Sequence, residues 1–137
     1  MAQKLTLELV TPAKQVLSEA VDEITAPGSM GQFGVLPGHT PMLTTLEVGE
    51  LSYRKGSDTF YVAVNWGYVE VEDDRVTILV ETAEIEDEID LERARTALGR
   101  AEEALAEMSA EEKEYLVMQQ ALARAMARIQ VASRKAR

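Results

Sequence analysis

Gly31-Gln32-Phe33-Gly34-Val35-Leu36-Pro37-Gly38-His39-Thr40-Pro41-Met42-Leu43 is the stretch from which the fold of this 137-residue chain is read. It holds three glycines, two prolines and the chain's only histidine, interleaved with Phe33, Val35, Leu36, Met42 and Leu43. Glycine admits backbone conformations that a side chain forbids, and proline fixes φ and removes a ladder donor. The segment is therefore neither a helix nor a central strand. It reads as turns joined by short extended pieces, whose apolar side chains need burial in the domain or against a partner.

Strand signals lie on both sides of it. Upstream, Leu5, Leu7 and Leu9 alternate with Thr6 and Glu8, as on a half-buried strand, and Thr11-Pro12-Ala13-Lys14 is a turn. Residues 16–26 are again extended until Pro27-Gly28-Ser29 breaks them. Downstream, residues 46–53 form a strand with Gly49 as a bend, and Lys55-Gly56-Ser57-Asp58 turns into residues 59–64. Residues 68–72 and 75–80 make a second hairpin across Asp73-Asp74. Several short strands with close-set turns predict an all-β sandwich or barrel.

From Asp90 the period changes. Leu91, Ala94, Leu98, Ala101 and Leu105 recur at helical spacing. Ser109-Ala110-Glu111-Glu112 reads as a capping box that starts a second helix, with Tyr115, Met118, Leu122, Met126 and Ile129 on its stripe. The short link predicts an antiparallel hairpin. Its stripes are narrow and rich in alanine and methionine, so it is only weakly anchored and suited to changing its packing partner. The chain divides into residues 1–85, a β-domain, and residues 86–137, a linker and two-helix hairpin.

Charge follows the same boundary. Residues 1–89 carry 5 Lys and Arg against 16 Asp and Glu, whereas residues 90–137 carry 9 against 8. From Tyr115 onward there is no acid, while Arg124, Arg128, Arg134, Lys135 and Arg137 give +5, a tail suited to an anionic partner. The net charge of −10 argues against a nucleic-acid binder. Cysteine is absent, which excludes a disulfide framework and a thiolate metal site. The N-terminus lacks the apolar run of a secretory signal, and no segment approaches the roughly 18 apolar residues that span a bilayer, so membrane association is expected only through partner proteins.

No catalytic set or metal site emerges. One histidine without cysteine makes neither a nucleophile pair nor a zinc site, and His39 reads as a turn residue bonding local backbone. The carboxylates at Glu84, Glu86, Asp87, Glu88 and Asp90 lack the spacing of a calcium loop and read as a solvated linker. The arginines say more. Arg93 and Arg100 are seven apart and share a helix face; Arg124 and Arg128 are four apart on the next helix. Folding the hairpin near Ser109 brings Arg93 toward Arg124 and Arg128, a cationic pocket suited to a polyphosphate. Asp90 also serves as an ordinary N-cap without any ligand.

The loop at residues 31–43 closely resembles the signature loop of the ε subunit of F-type ATP synthases, and the resemblance extends over the whole chain. Ile89-Asp90-Leu91-Glu92-Arg93-Ala94 is similar to the ATP-recognition motif of some bacterial ε subunits. The resemblance implies an N-terminal antiparallel β-sandwich followed by the helical hairpin. It implies a non-catalytic rotor subunit that couples ion translocation to ATP synthesis, with a mobile helical arm that inhibits ATP hydrolysis. Expected partners are the γ subunit, the c-subunit ring and the α/β catalytic head, on the cytoplasmic face of a bacterial membrane or the stromal face of a thylakoid. It places the c-ring and γ contact at Ser29, Gly31, Gln32, Phe33, Val35 and His39, and a contact with the catalytic β subunits at Arg134 and Lys135. It places ATP, a regulatory ligand and not an obligatory cofactor, at Glu84, Ile89, Asp90, Arg93, Arg100, Arg124 and Arg128. A stand-alone ATP-binding sensor module is the alternative.

Overall fold

The computed structural model describes residues 3–134. Eight strands come first: β1 (Leu5–Val10), β2 (Gln15–Val21), β3 (Glu23–Gly28), β4 (Gly31–Val35), β5 (Met42–Leu46), β6 (Gly49–Lys55), β7 (Asp58–Glu72) and β8 (Arg75–Ile85). A single 3₁₀ turn, Glu86–Glu88, leads to helices α1 (Leu91–Ala106) and α2 (Lys113–Arg134). The β-sandwich and helical hairpin expected from the sequence are both present.

The alternation at Leu5, Leu7 and Leu9 puts all three fully inside the core. β1 pairs antiparallel with β2 and parallel with β8. β3 pairs with β4 and β6, and β5 with β7, all antiparallel. The two predicted strands at residues 59–64 and 68–72 are one long strand. Its first half pairs with β6 and its second half with β5, so β7 passes from one layer to the other.

That passage has a local cause. Val62 and Val64 face the core before Trp66, and Val69 and Val71 face it afterward, so the strand slips by one residue in phase. Trp66 takes up the slip at φ 25°. Gly67 is required there, because a Cβ would lie 1.8 Å from the Leu79 carbonyl oxygen. The slip leaves Ala63 and Asn65 on the outer face of the first half, where α2 covers them.

Two features of the hairpin depart from expectation. Ser109 Oγ accepts from the Glu111 N–H within a turn, and α2 begins only at Lys113. The buried residues of α2 are Ala125, Ala127, Val131 and Ala132, while Met126, expected on the stripe, is 56% exposed. A helix lying on a sheet approaches closest over small side chains, so the alanines face inward and methionine does not.

Candidate functional site

The linker carboxylates and the helical arginines meet at the corner where β8, α1 and α2 converge. Asp90 Oδ1 accepts from the Arg93 N–H at 3.1 Å and caps α1. Glu88 Oε1 accepts from the Ile85 N–H at 3.2 Å, which folds the linker against the end of β8. These two bonds set where α1 starts and therefore which way its arginines point. Arg93 and Arg100, two turns apart, and Arg128 of α2 line one cavity of about 590 Å³ together with Glu84, Ile89 and Asp90. Arg128 Nε donates to Glu84 Oε1 at 2.6 Å. Among the described residues neither the Arg93 nor the Arg100 guanidinium has an ion-pair partner.

Two unpaired guanidinium groups at a concave corner suit an anion with several oxygens. The volume lies within the range of small-molecule sites. The carboxylates on the same wall accept hydrogen bonds only, so they match the hydroxyl and amine donors of a nucleoside. Six of the seven residues expected at a nucleotide site line this one cavity: Glu84, Ile89, Asp90, Arg93, Arg100 and Arg128.

Arg124 is placed elsewhere. It lines a space of about 10 Å³ beneath α2 with Asn65 and Thr82, which shares Glu84 and Arg128 with the larger cavity. Asn65 is buried there, its Nδ2 donates to Glu81 Oε2 at 3.4 Å, and its Oδ1 has no partner among the described residues. No group of three His, Cys, Asp or Glu side chains among the described residues is arranged to hold a metal ion.

The stretch at residues 31–43 consists of β4, a turn over residues 36–41 and the start of β5, the turns and short extended pieces its composition requires. Gly31 and Gly38 have φ of 120° and 87°, which glycine alone adopts freely. Gly38 N–H donates to Asp74 Oδ1 at 2.7 Å, so the neighbouring acidic turn between β7 and β8 holds the loop. His39 N–H donates to Leu36 O at 3.1 Å, and its Nδ1 lies 2.7 Å from Thr40 O, the local backbone role expected for it. Ser29 Oγ shares a hydrogen bond with Thr45 Oγ1. Gly31 and Gln32 are exposed, and Phe33 is half-buried against the core.

Val35 corrects the expected contact surface. It is 0% exposed and belongs to the core, so it cannot touch a partner. Met30, 97% exposed at the tip of the turn, is the most exposed apolar residue there, ahead of Leu36 and Leu43. Arg134 is also engaged within the chain, on Glu50, and Lys135 lies outside the described residues.

One surface was missed by sequence reasoning. The outer faces of β5, β7, β8 and β1 carry a cross-strand row, Thr45–Tyr68–Leu79–Val10. Tyr68 is 57% exposed, Leu79 and the neighbouring Leu43 are exposed as well, and α2 covers the other layer instead. The signal was present: Leu79 stands between core residues Ile78 and Val80, so alternation turns it outward although it is apolar.

Known proteins resemble both halves. Residues 4–86 match the family model described as ATP synthase, Delta/Epsilon chain, beta-sandwich domain. Residues 87–133 match that of the ATP synthase, Delta/Epsilon chain, long alpha-helix domain. The chain is 72% identical to ATP synthase epsilon chain 2 of Syntrophotalea carbinolica, covering 100% of this chain and 99% of that one. It is 62% identical to the ATP synthase epsilon chain of Geobacter sulfurreducens with the same coverage. Among solved structures, a chain of the Euglena gracilis mitochondrial ATP synthase (OSCP/F1/c-ring) aligns with TM-score 0.82 at 26% identity, over 95% of this chain and 81% of that one. A chain of the Tetrahymena thermophila mitochondrial ATP synthase central stalk and c-ring shares the fold, with TM-score 0.55 at 17% identity, over 99% and 98%.

Proposed function

The chain belongs to the ATP synthase delta/epsilon family and aligns end to end with bacterial epsilon chains, and from that premise we propose that it is a non-catalytic subunit of the rotor. In this reading the β-sandwich couples ion translocation to ATP synthesis by standing between the γ subunit and the c-ring. The exposed turn around Met30 meets the c-ring. The row Thr45–Tyr68–Leu79–Val10 meets γ, because it runs on from Ser29 and Thr45 at the base of that turn without an intervening element. A neighbour of known structure belongs to an F1 and c-ring assembly, which supports a rotor position for the subunit.

The hairpin is a regulatory arm. Folded, it rests on the sandwich; extended, it reaches the α/β catalytic head and blocks ATP hydrolysis. The observation that carries this reading is the seam of α2, where the inward apolar side chains are alanines and one valine, so little apolar area holds the arm down. ATP, a regulatory ligand here, occupies the corner cavity and favours the folded arm by differential affinity, since unfolding the hairpin separates Arg93 and Arg100 from Arg128. The subunit then works at the cytoplasmic face of a cell membrane through its partners; no helix among the described residues is long and apolar enough to cross one.

Co-purification with the γ subunit, with and without millimolar ATP, tests the reading. Capture of γ under both conditions is expected. Failure to retain γ would overturn the rotor assignment and leave the stand-alone sensor as the better account.

A further inference from the structure

The end of α2 is tied to the sandwich through a carboxylate of β6. Glu50, near the start of β6, accepts from Arg134 Nε at 3.0 Å and from Arg134 Nη2 at 2.8 Å, across 84 residues of sequence. Gln130 Nε2 reaches the same carboxylate at 3.4 Å. The guanidinium carbon of Arg134 also lies 4.6 Å from the centroid of the Tyr61 ring. Glu50 and Tyr61 reach the same outer face because Tyr61 pairs with Ser52, two residues along β6. The two charged side chains are only 22% and 12% exposed. A planar fork on a carboxylate with an aromatic face beside it is a built receptor for arginine.

We propose that Glu50 and Tyr61 form a receptor for Arg134, at the end of α2, and mask it while the arm is folded. The Nε and Nη2 edge of one guanidinium holds one two-pronged carboxylate at a time. Contact of that edge with Glu50 and its contact with an acidic surface on another protein are therefore mutually exclusive. Glu50 stands in for that acidic partner, and lifting α2 frees a cation in a segment that has no acid after Glu114. The inference rests on the regulatory-arm reading for its purpose but not for its geometry.

Hydrogen exchange on the full chain tests the receptor, comparing wild type with Glu50→Gln, Tyr61→Leu and the reversed pair Glu50→Arg/Arg134→Glu. Amides of residues 129–134 should exchange about three- to tenfold faster in the single variants, as loss of a partly shielded charge-assisted contact implies. The reversed pair should return toward wild type, and the thermal midpoint of the sandwich should hold in all. Glu50→Gln should also bind poly-L-glutamate more tightly than wild type. Unchanged exchange in the single variants overturns the receptor, and unchanged poly-L-glutamate binding overturns the masking. If both shift while Glu50→Gln leaves ATP hydrolysis by the assembled complex unaltered, the receptor stands and the inhibitory-arm reading fails.

Discussion

Arg128 and Glu84, 44 residues apart, close a hydrogen bond of 2.6 Å that ties the middle of α2 to the end of β8. The same two side chains are wall residues of the corner cavity. A single contact thus serves both the seating of the arm and the shape of the site beside it.

Calorimetry on the isolated chain is expected to show ATP binding that Arg93→Ala or Arg128→Ala weakens. Each substitution removes a charge-assisted contact to phosphate worth about 1.5–3 kcal/mol, or about ten- to a hundredfold in Kd. The Arg128–Glu84 pair is partly exposed on both sides, so its own loss costs under about 1 kcal/mol and does not unfold the hairpin. Absence of heat and of a thermal shift for wild type at millimolar ATP would sink the nucleotide site.

A chain ending at Glu88 should fold, because every strand and the apolar core precede that residue. In the assembled complex this truncation is expected to raise ATP hydrolysis and leave synthesis intact. Hydrolysis rates matched to the full-length complex under inhibiting conditions would refute the arm's role.

Substitution in the loop should separate contact from packing. Met30→Asp is expected to leave the melting curve of the isolated chain unchanged while lowering ATP-driven ion pumping by membranes. Val35→Asp buries an unpaired carboxylate in the core and should unfold the domain, at a cost of several kcal/mol. Pumping at the wild-type level with Met30→Asp would displace the c-ring contact from this turn.

Two glycines should respond in opposite directions. Gly67→Ala drives a methyl into the Leu79 carbonyl and should destabilise the sandwich by about 3 kcal/mol or more. Gly99→Ala, with nothing within 4 Å of the new methyl, should stabilise α1 by about 1 kcal/mol. Denaturant unfolding of the two variants measures both.

Acid should loosen the sandwich partly through Asp22. The Lys4 ammonium and then the Gly56 N–H hold its carboxyl below the ordinary value of 3.8, with Arg54 adding to the effect. A carboxylate whose value is lowered by folding stabilises the fold above its unfolded value, and that stability fades as pH falls through the folded value. Asp22→Asn should therefore lose less thermal stability than wild type as pH is lowered from about 5 to below 3.8. Parallel losses in both proteins would show that Asp22 contributes nothing to the acid transition.

Much of this was legible in the sequence, for identifiable reasons. Strict alternation placed Leu5, Leu7 and Leu9, and a clear change of period at Asp90 placed the hairpin. The corner cavity was legible because helical spacing fixes Arg93 against Arg100. The continuity of β7 was not, since Asn65-Trp66-Gly67 breaks the alternation and reads as an interruption, whereas only three-dimensional closure shows one strand changing layers. Met126 was misplaced on the inner face of α2 because apolar size was taken as the guide, when close packing there favours the alanines beside it. Ser109 has the letters of a helix cap but caps a turn. Arg124 and Arg134 carry no local sign of which carboxylate or amide they will face, because Glu50 and Asn65 are supplied by strands far away in sequence.

The phase slip at Trp66 has an optical consequence. Trp66 is the chain's only tryptophan. Trp66 lines the grooves on both sides of Tyr68, and the adjoining residue, Asn65, lies under α2. All of the indole emission therefore originates at the junction between the layer covered by the arm and the layer left open. A partner that covers Tyr68 and Leu79 would dry the ring and shift its emission to the blue, and lifting α2 would change the same signal from the other side. The fold carries its own fluorophore at that junction, so covering of the open layer and movement of α2 can both be followed without attaching a dye.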